Sequence, residues 1–297
     1  MRPGLVSAVL VIAVLGVSLS GPLVRLSHAH PIAIAVWRLT FSLAIIAVPL
    51  GLSGAWKQLR ALDARSYAIA IAGGVMLALH FWSWNTSVGL TTIAASVVLV
   101  NLQPLIVATL SALWLREPPT REQWMGIVIA VAGAAVVVLP DLRQGGALSL
   151  SGRAALGDAL ATIGAITAAV YYVIGRRLRA TLDLWAYVAL VYGACLAALI
   201  LVAAIIGAKL GPYPPREYRI FALLALGPML LGHTGMNWAL RYARAYQVNI
   251  VLLGEPIGAT LLAAILPGIN ERPTAYTLVG GVLVLAGILL AERKRRA

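Results

Sequence analysis

The sequence predicts an all-α integral membrane protein with ten transmembrane helices arranged as two inverted five-helix repeats. Three observations predict this. Between Arg65 and Arg116, 50 consecutive residues contain no Asp, Glu, Lys or Arg. That is enough for two crossings at about 20 residues each and ~1.5 Å rise per residue. Charge-poor runs also occupy most of the remaining chain of 297 residues. Finally, the chain matches itself at an offset of 152 to 154 residues.

The spans follow in order. Pro3–Val24 is the first. Its start, Arg2, and its end, Ser18-Leu19-Ser20-Gly21, have the outline of a secretory leader. Its apolar run is long for one, and removing it would break the repeat, so it is read as a span. The second begins near Pro31 and carries Arg38 ahead of the charge-free Leu39–Trp56. The third and fourth share the 50-residue stretch and are parted at Gly89-Leu90-Thr91-Thr92, a turn signal. The fifth to eighth are Gln123–Pro140, Ala159–Gly175, Leu184–Ala208 and Ile220–Leu240. The ninth, Ala245–Asn270, is interrupted only by Glu255, and the tenth is Pro273–Ala291. None shows the alternation of a barrel strand, so all are read as helices.

Charge sets the orientation. With both termini cytoplasmic, the inner segments hold 15 Lys and Arg and the outer segments 7. Basic residues favour the cytoplasmic side, so this is the expected arrangement in a cell inner membrane. The formal net charge of +13 does not point to nucleic acid, because the basic residues sit in short loops rather than on one folded face. The single Cys195 excludes a disulfide framework and a paired-cysteine metal site, and it is read as an inert buried thiol. No nucleophile–base pair, HExxH or GxSxG sequence occurs in the spans, so the chain is not read as an enzyme. No cofactor and no metal is implied.

The repeat is ordered and collinear. At an offset of 152, Asn85 falls on Asn237, Gln103 on Glu255 and Pro104 on Pro256; at 154, Glu117 falls on Glu271, Pro119 on Pro273, Gly126 on Gly280 and Gly133 on Gly287. The two units are residues 1–140 and 154–297. Each has five spans, an odd number, so the second lies inverted relative to the first. Inverted halves that exchange conformations around a midplane site are a transporter architecture.

These residues resemble a known family. Gln103-Pro104, Ala112-Leu113-Trp114-Leu115-Arg116-Glu117-Pro118, Gly126 and Gly133 are similar to the EamA repeat of the drug/metabolite transporter superfamily. So are Leu253-Gly254-Glu255-Pro256, Glu271, Gly280 and Gly287, and the Ala-rich turns Thr91–Ser96 and Tyr242–Ala245. The resemblance spans the whole chain and implies a ten-helix exporter of small metabolites. The aromatic residues are most similar to those of YddG-type exporters of aromatic and neutral amino acids. Other cargoes open to the superfamily are a drug, a nucleotide sugar or another metabolite. Phosphate-bearing cargo would call for several intramembrane cations, and Arg38 is the one the spans contain.

The expected substrate site is a central cavity lined by polar and aromatic side chains. Glu255 stands deep in the ninth span, where a carboxylate is costly. It contacts a substrate ammonium, exchanges a proton, caps backbone freed at the following Pro256, or pairs with Arg38. Arg38 either anchors a substrate carboxylate or, as the blander expectation, snorkels outward. His80, Trp84 and Asn85 lie on the third span, with His80 and Trp84 one turn apart. His80 is a second proton-coupling candidate. Trp84 fits an interfacial aromatic belt equally well. Tyr171 and Tyr172 on the sixth span, and His233 and Asn237 on the eighth, add donors, acceptors and rings. Asn101 and Gln103 are two residues apart and face opposite sides, as do Gln247 and Asn249. Gln247 and Glu255 are eight apart and share a face, with Gln103 as the counterpart in the first repeat. For each of these, a hydrogen bond between helices is the structural alternative.

Pro104 and Pro256 are expected hinges. Gly126, Gly133, Gly280 and Gly287, spaced by sevens, are expected to form close-packed seams. Glu117 and Glu271 are expected to cap helix N-termini. The partners expected are the bilayer, a small amino acid and protons if transport is coupled to them; a monomer suffices, and without coupling the protein is a facilitator.

Overall fold

The computed structural model describes residues 3–87, 89–91, 96, 99–137, 139, 152–258, 262 and 274–292. Every regular element among them is helical. Among the described residues, six helices are long and apolar enough to cross a membrane: Gly4–Val24, Pro31–Leu52, Ala64–Ser87, Gly152–Leu178, Leu184–Ile206 and Pro215–Ala239. They correspond to the first three and the sixth to eighth expected spans. Gln103–Trp114 and Ala275–Ala291 are shorter apolar helices, and Arg121–Val137 runs for 17 residues. Thr92 of the expected turn, the end of the ninth span, Glu271, Pro273 and the basic C-terminus lie outside the described residues.

Local chemistry starts and stops these helices. His30 accepts the Ile32 N–H through Nδ1, and Pro31 opens the second span, where its missing N–H is not needed. Asp63 accepts the Ser66 N–H at 3.0 Å ahead of Ala64–Ser87, and the Ser66 contacts hold its carboxyl below the usual range. Asp183 caps Leu184–Ile206 through the Trp185 N–H at 2.8 Å. That helix ends on Gly207 at φ 66°, a left-handed position suited to glycine.

The chain divides into two compact units that differ from the two sequence repeats: Met1–Trp82 with Val170–Tyr242, and Ser83–Ala169 with Ala243–Ala297. Each draws residues from both halves of the sequence.

In the first unit the helix Pro3–Ser18 packs on the eighth span through glycine. A Cβ on Gly16 would lie 2.9 Å from the Gly227 carbonyl oxygen. The eighth span is not a plain α-helix: Ala225–Thr234, which includes Pro228, is a π-helix. Such long-turn segments are rare, and those that occur are concentrated at functional sites. Near one end of this unit, Trp37, Tyr213, Tyr218 and Phe221 stack. The buried Glu217 accepts the Ser27 hydroxyl and the His28 N–H.

In the second unit Arg121–Val137 packs along Ala275–Glu292, as the glycine spacing predicts. A Cβ on Gly126 would lie 2.6 Å from the Gly287 oxygen, and one on Gly133 2.8 Å from the Gly280 oxygen. Threonines make the side-chain caps among the described residues, and Glu271 lies outside them. Thr120 and Gln123 exchange backbone and side-chain bonds at the start of Arg121–Val137, and Thr274 and Thr277 do the same before Ala275. Glu117 lies three residues ahead of Thr120, and its own N–H bonds the Ser111 carbonyl.

Both prolines of the repeat sit at breaks. A turn at Asn101-Leu102 precedes Gln103–Trp114, with Pro104 in its first turn. Ala245–Val251 passes into a 3-10 segment, Leu252–Gly254, and helix resumes at Glu255-Pro256. Pro256 has no N–H to give the Leu252 carbonyl, which is the physical reason for the break.

Candidate functional site

Among the described residues, buried polar side chains within the spans form small groups in each unit.

In the first unit, Phe81 is the centre of one group. The Arg38 guanidinium lies over its ring, 4.1 Å from the centroid. The His233 ring meets it edge-on at 5.5 Å and His80 tilts against it at 5.4 Å. Arg38 is 1 % exposed, so it does not snorkel outward. Its side chain turns toward the eighth span. Its Nη2 donates to the Met229 sulfur at 3.2 Å.

A second group lies farther along the eighth span, with partners on the sixth and seventh. Asn237, fully buried, donates through Nδ2 to the Tyr171 hydroxyl and to the Tyr192 hydroxyl, the latter at 3.2 Å. Tyr192 and Thr234 share a hydrogen bond of 3.1 Å. Asn237 and Tyr171, both expected to face a cavity, thus bond each other and join the sixth, seventh and eighth spans. Beneath them Arg179 donates Nε to the Asn237 carbonyl at 3.0 Å, and Arg176 donates to the Leu240 carbonyl at 2.8 Å. These arginines tie the last turn of the eighth span, where carbonyls lack helical partners. Sequence placed them among the basic residues of an inner loop; only their contacts reveal this role.

In the second unit, Gln103 donates through Nε2 to Asn249 Oδ1, and Asn249 Nδ2 donates to the Ala245 carbonyl at 3.0 Å. The fourth and ninth spans therefore meet at a Gln–Asn pair. The Gln247 side-chain oxygen accepts the Arg244 N–H at 3.0 Å and so completes the start of Ala245–Val251. The sequence reading favours Gln247 as the amide matched with Gln103, but Asn249, on the other face of the same helix, is the one that meets it. Tyr246, also buried, donates to Gln123 Oε1 at 2.9 Å and accepts from Arg244. Asn101 is buried at the turn before Gln103, and Asn85 is buried near the end of the third span. Trp84 and Glu255 are half-buried. The Trp84 Cβ is the close neighbour of Gly164, 3.4 Å from where a Cβ there would stand.

The family model of the EamA-like transporter family matches the chain twice, over residues 3–139 and 155–292. The chain belongs to the EamA-like transporter family. It is thus a multi-pass membrane transporter of the drug/metabolite transporter superfamily. It is similar to an uncharacterized transporter of Archaeoglobus fulgidus, with 29% identity over 89% of this chain and 90% of that protein. It is also similar to the uncharacterized transporter YyaM of Bacillus subtilis, with 26% identity over 89% of this chain and 85% of the relative. A solved crystal structure aligns with a TM-score of 0.79 at 20% identity, covering 98% of this chain and 97% of its own. That likeness shows the shared fold. Within this EamA-like fold, the groups around Phe81, Asn237 and Asn249 hold buried polar chemistry among the described residues.

Proposed function

We propose that this EamA-like transporter exports aromatic and neutral amino acids across the cell inner membrane. In this reading it has ten spans with both termini cytoplasmic, and two inverted five-helix repeats alternate access to a central site. One observation carries the reading: apolar rings and neutral hydrogen-bonding groups outnumber charges among the buried intramembrane side chains. Phe81, His80, Tyr171, Asn237, Asn101 and Gln103 are all buried. Such a set offers ring faces and paired donors and acceptors to a zwitterion with an apolar side chain. Pro104 and Pro256, at the two broken helices, are the hinges of the movement. His80 in the first unit, and Trp84, Asn85 and Glu255 in the second, are further substrate contacts of this reading. Glu255 and His80 are the groups that would carry a proton if export is coupled.

Counterflow in proteoliposomes tests this. Vesicles preloaded with unlabelled phenylalanine, leucine or valine should accumulate labelled phenylalanine, and His80→Ala should reduce the rate. Folded protein that gives no counterflow with any of these would defeat the amino-acid reading. If export is proton-coupled, a pH gradient changes the wild-type rate and Glu255→Gln removes that dependence. A wild type indifferent to the gradient makes the protein a facilitator.

A further inference from the structure

The Arg38 guanidinium is a buried cation with an unsatisfied donor. It is 1 % exposed. Nη2 has only the thioether of Met229, a weak acceptor. Nε has no hydrogen-bond partner. The ionisable groups whose charges act on it are Cys195, Tyr192 and His233. None is a carboxylate, and among the described residues no carboxylate lies within ion-pair distance of it. The Phe81 ring supplies a cation–π contact at 4.1 Å, which replaces only a fraction of the hydration that burial removes. A guanidinium in a bilayer normally finds an anion or backbone carbonyls. Arg179 in the same unit shows the second solution, with two carbonyl acceptors. Arg38 has neither.

A second unpartnered group lies beside it. His233 Nδ1 is buried without a hydrogen bond, and its ring stands edge-on to the Phe81 ring that Arg38 covers. Met229 and His233 both belong to the π-helical segment Ala225–Thr234. Within it the Thr234 hydroxyl donates to the Met229 carbonyl at 3.1 Å. Met229 thus meets Arg38, and His233 meets Phe81, from one π-helical segment, a kind of winding frequent at functional sites.

We propose that Arg38 and His233, held around Phe81, form an anion site that takes the carboxylate of the transported molecule. Nε and one Nη of Arg38 present the forked donor geometry that matches a carboxylate. His233 adds a donor through Nδ1 in the tautomer that carries its proton there. Phe81 provides an apolar floor for the part of the ligand next to the carboxylate. Arg38 and Phe81 are buried, His233 is half-buried, and all three lie within the first compact unit. It rests on the reading of the chain as a transporter, and it does not require the cargo to be an amino acid.

The test uses purified full-length protein in nanodiscs and three probes: phenylalanine, 3-phenylpropionate, which lacks the amine, and phenylalaninamide, which lacks the carboxylate. Binding is read as the ligand-dependent rise in melting temperature. Both carboxylates should stabilise the wild type, and the amide should not. Arg38→Gln should weaken carboxylate binding by about tenfold or more, the scale of a lost charge-assisted hydrogen bond. If Arg38→Gln does not fold, Arg38→Lys and His233→Ala carry the comparison with the same direction expected. The site is overturned if the amide binds as well as the carboxylates, if no carboxylate stabilises the folded wild type, or if the foldable variants keep full carboxylate affinity. Stabilisation by chloride alone, with carboxylates adding nothing, overturns the carboxylate assignment. Binding of 3-phenylpropionate without phenylalanine upholds the site and defeats the amino-acid cargo instead.

Discussion

Asn237 illustrates how a residue expected to meet substrate is used by the protein itself. Its amide donates to Tyr171 and Tyr192, and its carbonyl accepts from Arg179. Hydrogen bonds between transmembrane helices average about 0.6 kcal/mol, below their worth in an isolated model peptide. Tyr171→Phe removes one of them and should cost about that much. Asn237→Ala removes two and leaves buried hydroxyls to be satisfied, so about 1–2 kcal/mol is expected. Reversible denaturation in mixed micelles would measure both; equal effects from the two variants would mean that the Tyr192 contact contributes nothing. Arg38 shows the opposite case. Its backbone position was legible in sequence, but its direction was not. A charged residue seven positions into a span can turn outward or inward, and the neighbouring span decides which.

At the scale of elements, the seven-residue glycine spacing translated directly into packing. On a helix, positions seven apart lie on one face, and a face without side chains lets a second backbone approach. Gly126→Ala would place a Cβ 2.6 Å from the Gly287 oxygen and 2.7 Å from the Ala291 nitrogen. It should cost about 1–3 kcal/mol through overpacking. Gly193, within Leu184–Ile206, has nothing within 4 Å of an added Cβ. Gly193→Ala should stabilise by about 0.5–1 kcal/mol through helix propensity alone. Melting temperatures that moved the same way for both variants would contradict the seam. The caps were less legible. Glutamate before a span is a general dipole signal, whereas Thr120 and Gln123 are specified by one hydrogen-bond geometry that the two prolines make possible. The π-helical stretch had no sequence signal beyond Pro228, because a widened turn depends on what the neighbouring helices demand.

For the whole molecule, the proposed ten-span arrangement with both termini inside makes a direct prediction. Cys195 is fully buried, so a Cys195→Ser background is suited to single-cysteine labelling. In intact cells a membrane-impermeant maleimide should label Lys209→Cys in the outer segment. Lys57→Cys should react only after the membrane is opened. The opposite pattern would invert the orientation, and equal labelling of both would break the predicted order of spans. The two compact units each combine residues of both sequence repeats. A duplicated gene therefore need not give two bodies that follow the duplication; the packing groups spans from different copies.

The one-dimensional pattern was enough to make this chain a helical membrane protein, because the bilayer reads charge-free length directly. It also marked the broken helices, since a proline lacks its N–H in any surroundings. Only the tertiary structure decided which amides pair, that Gln103 meets Asn249 while Gln247 closes a helix end, and that Arg38 lies inside against Phe81 and Met229. Those outcomes depend on which helix stands opposite each side chain. Apolar spans specify that weakly in sequence, because within the bilayer nearly every face of every span is hydrophobic.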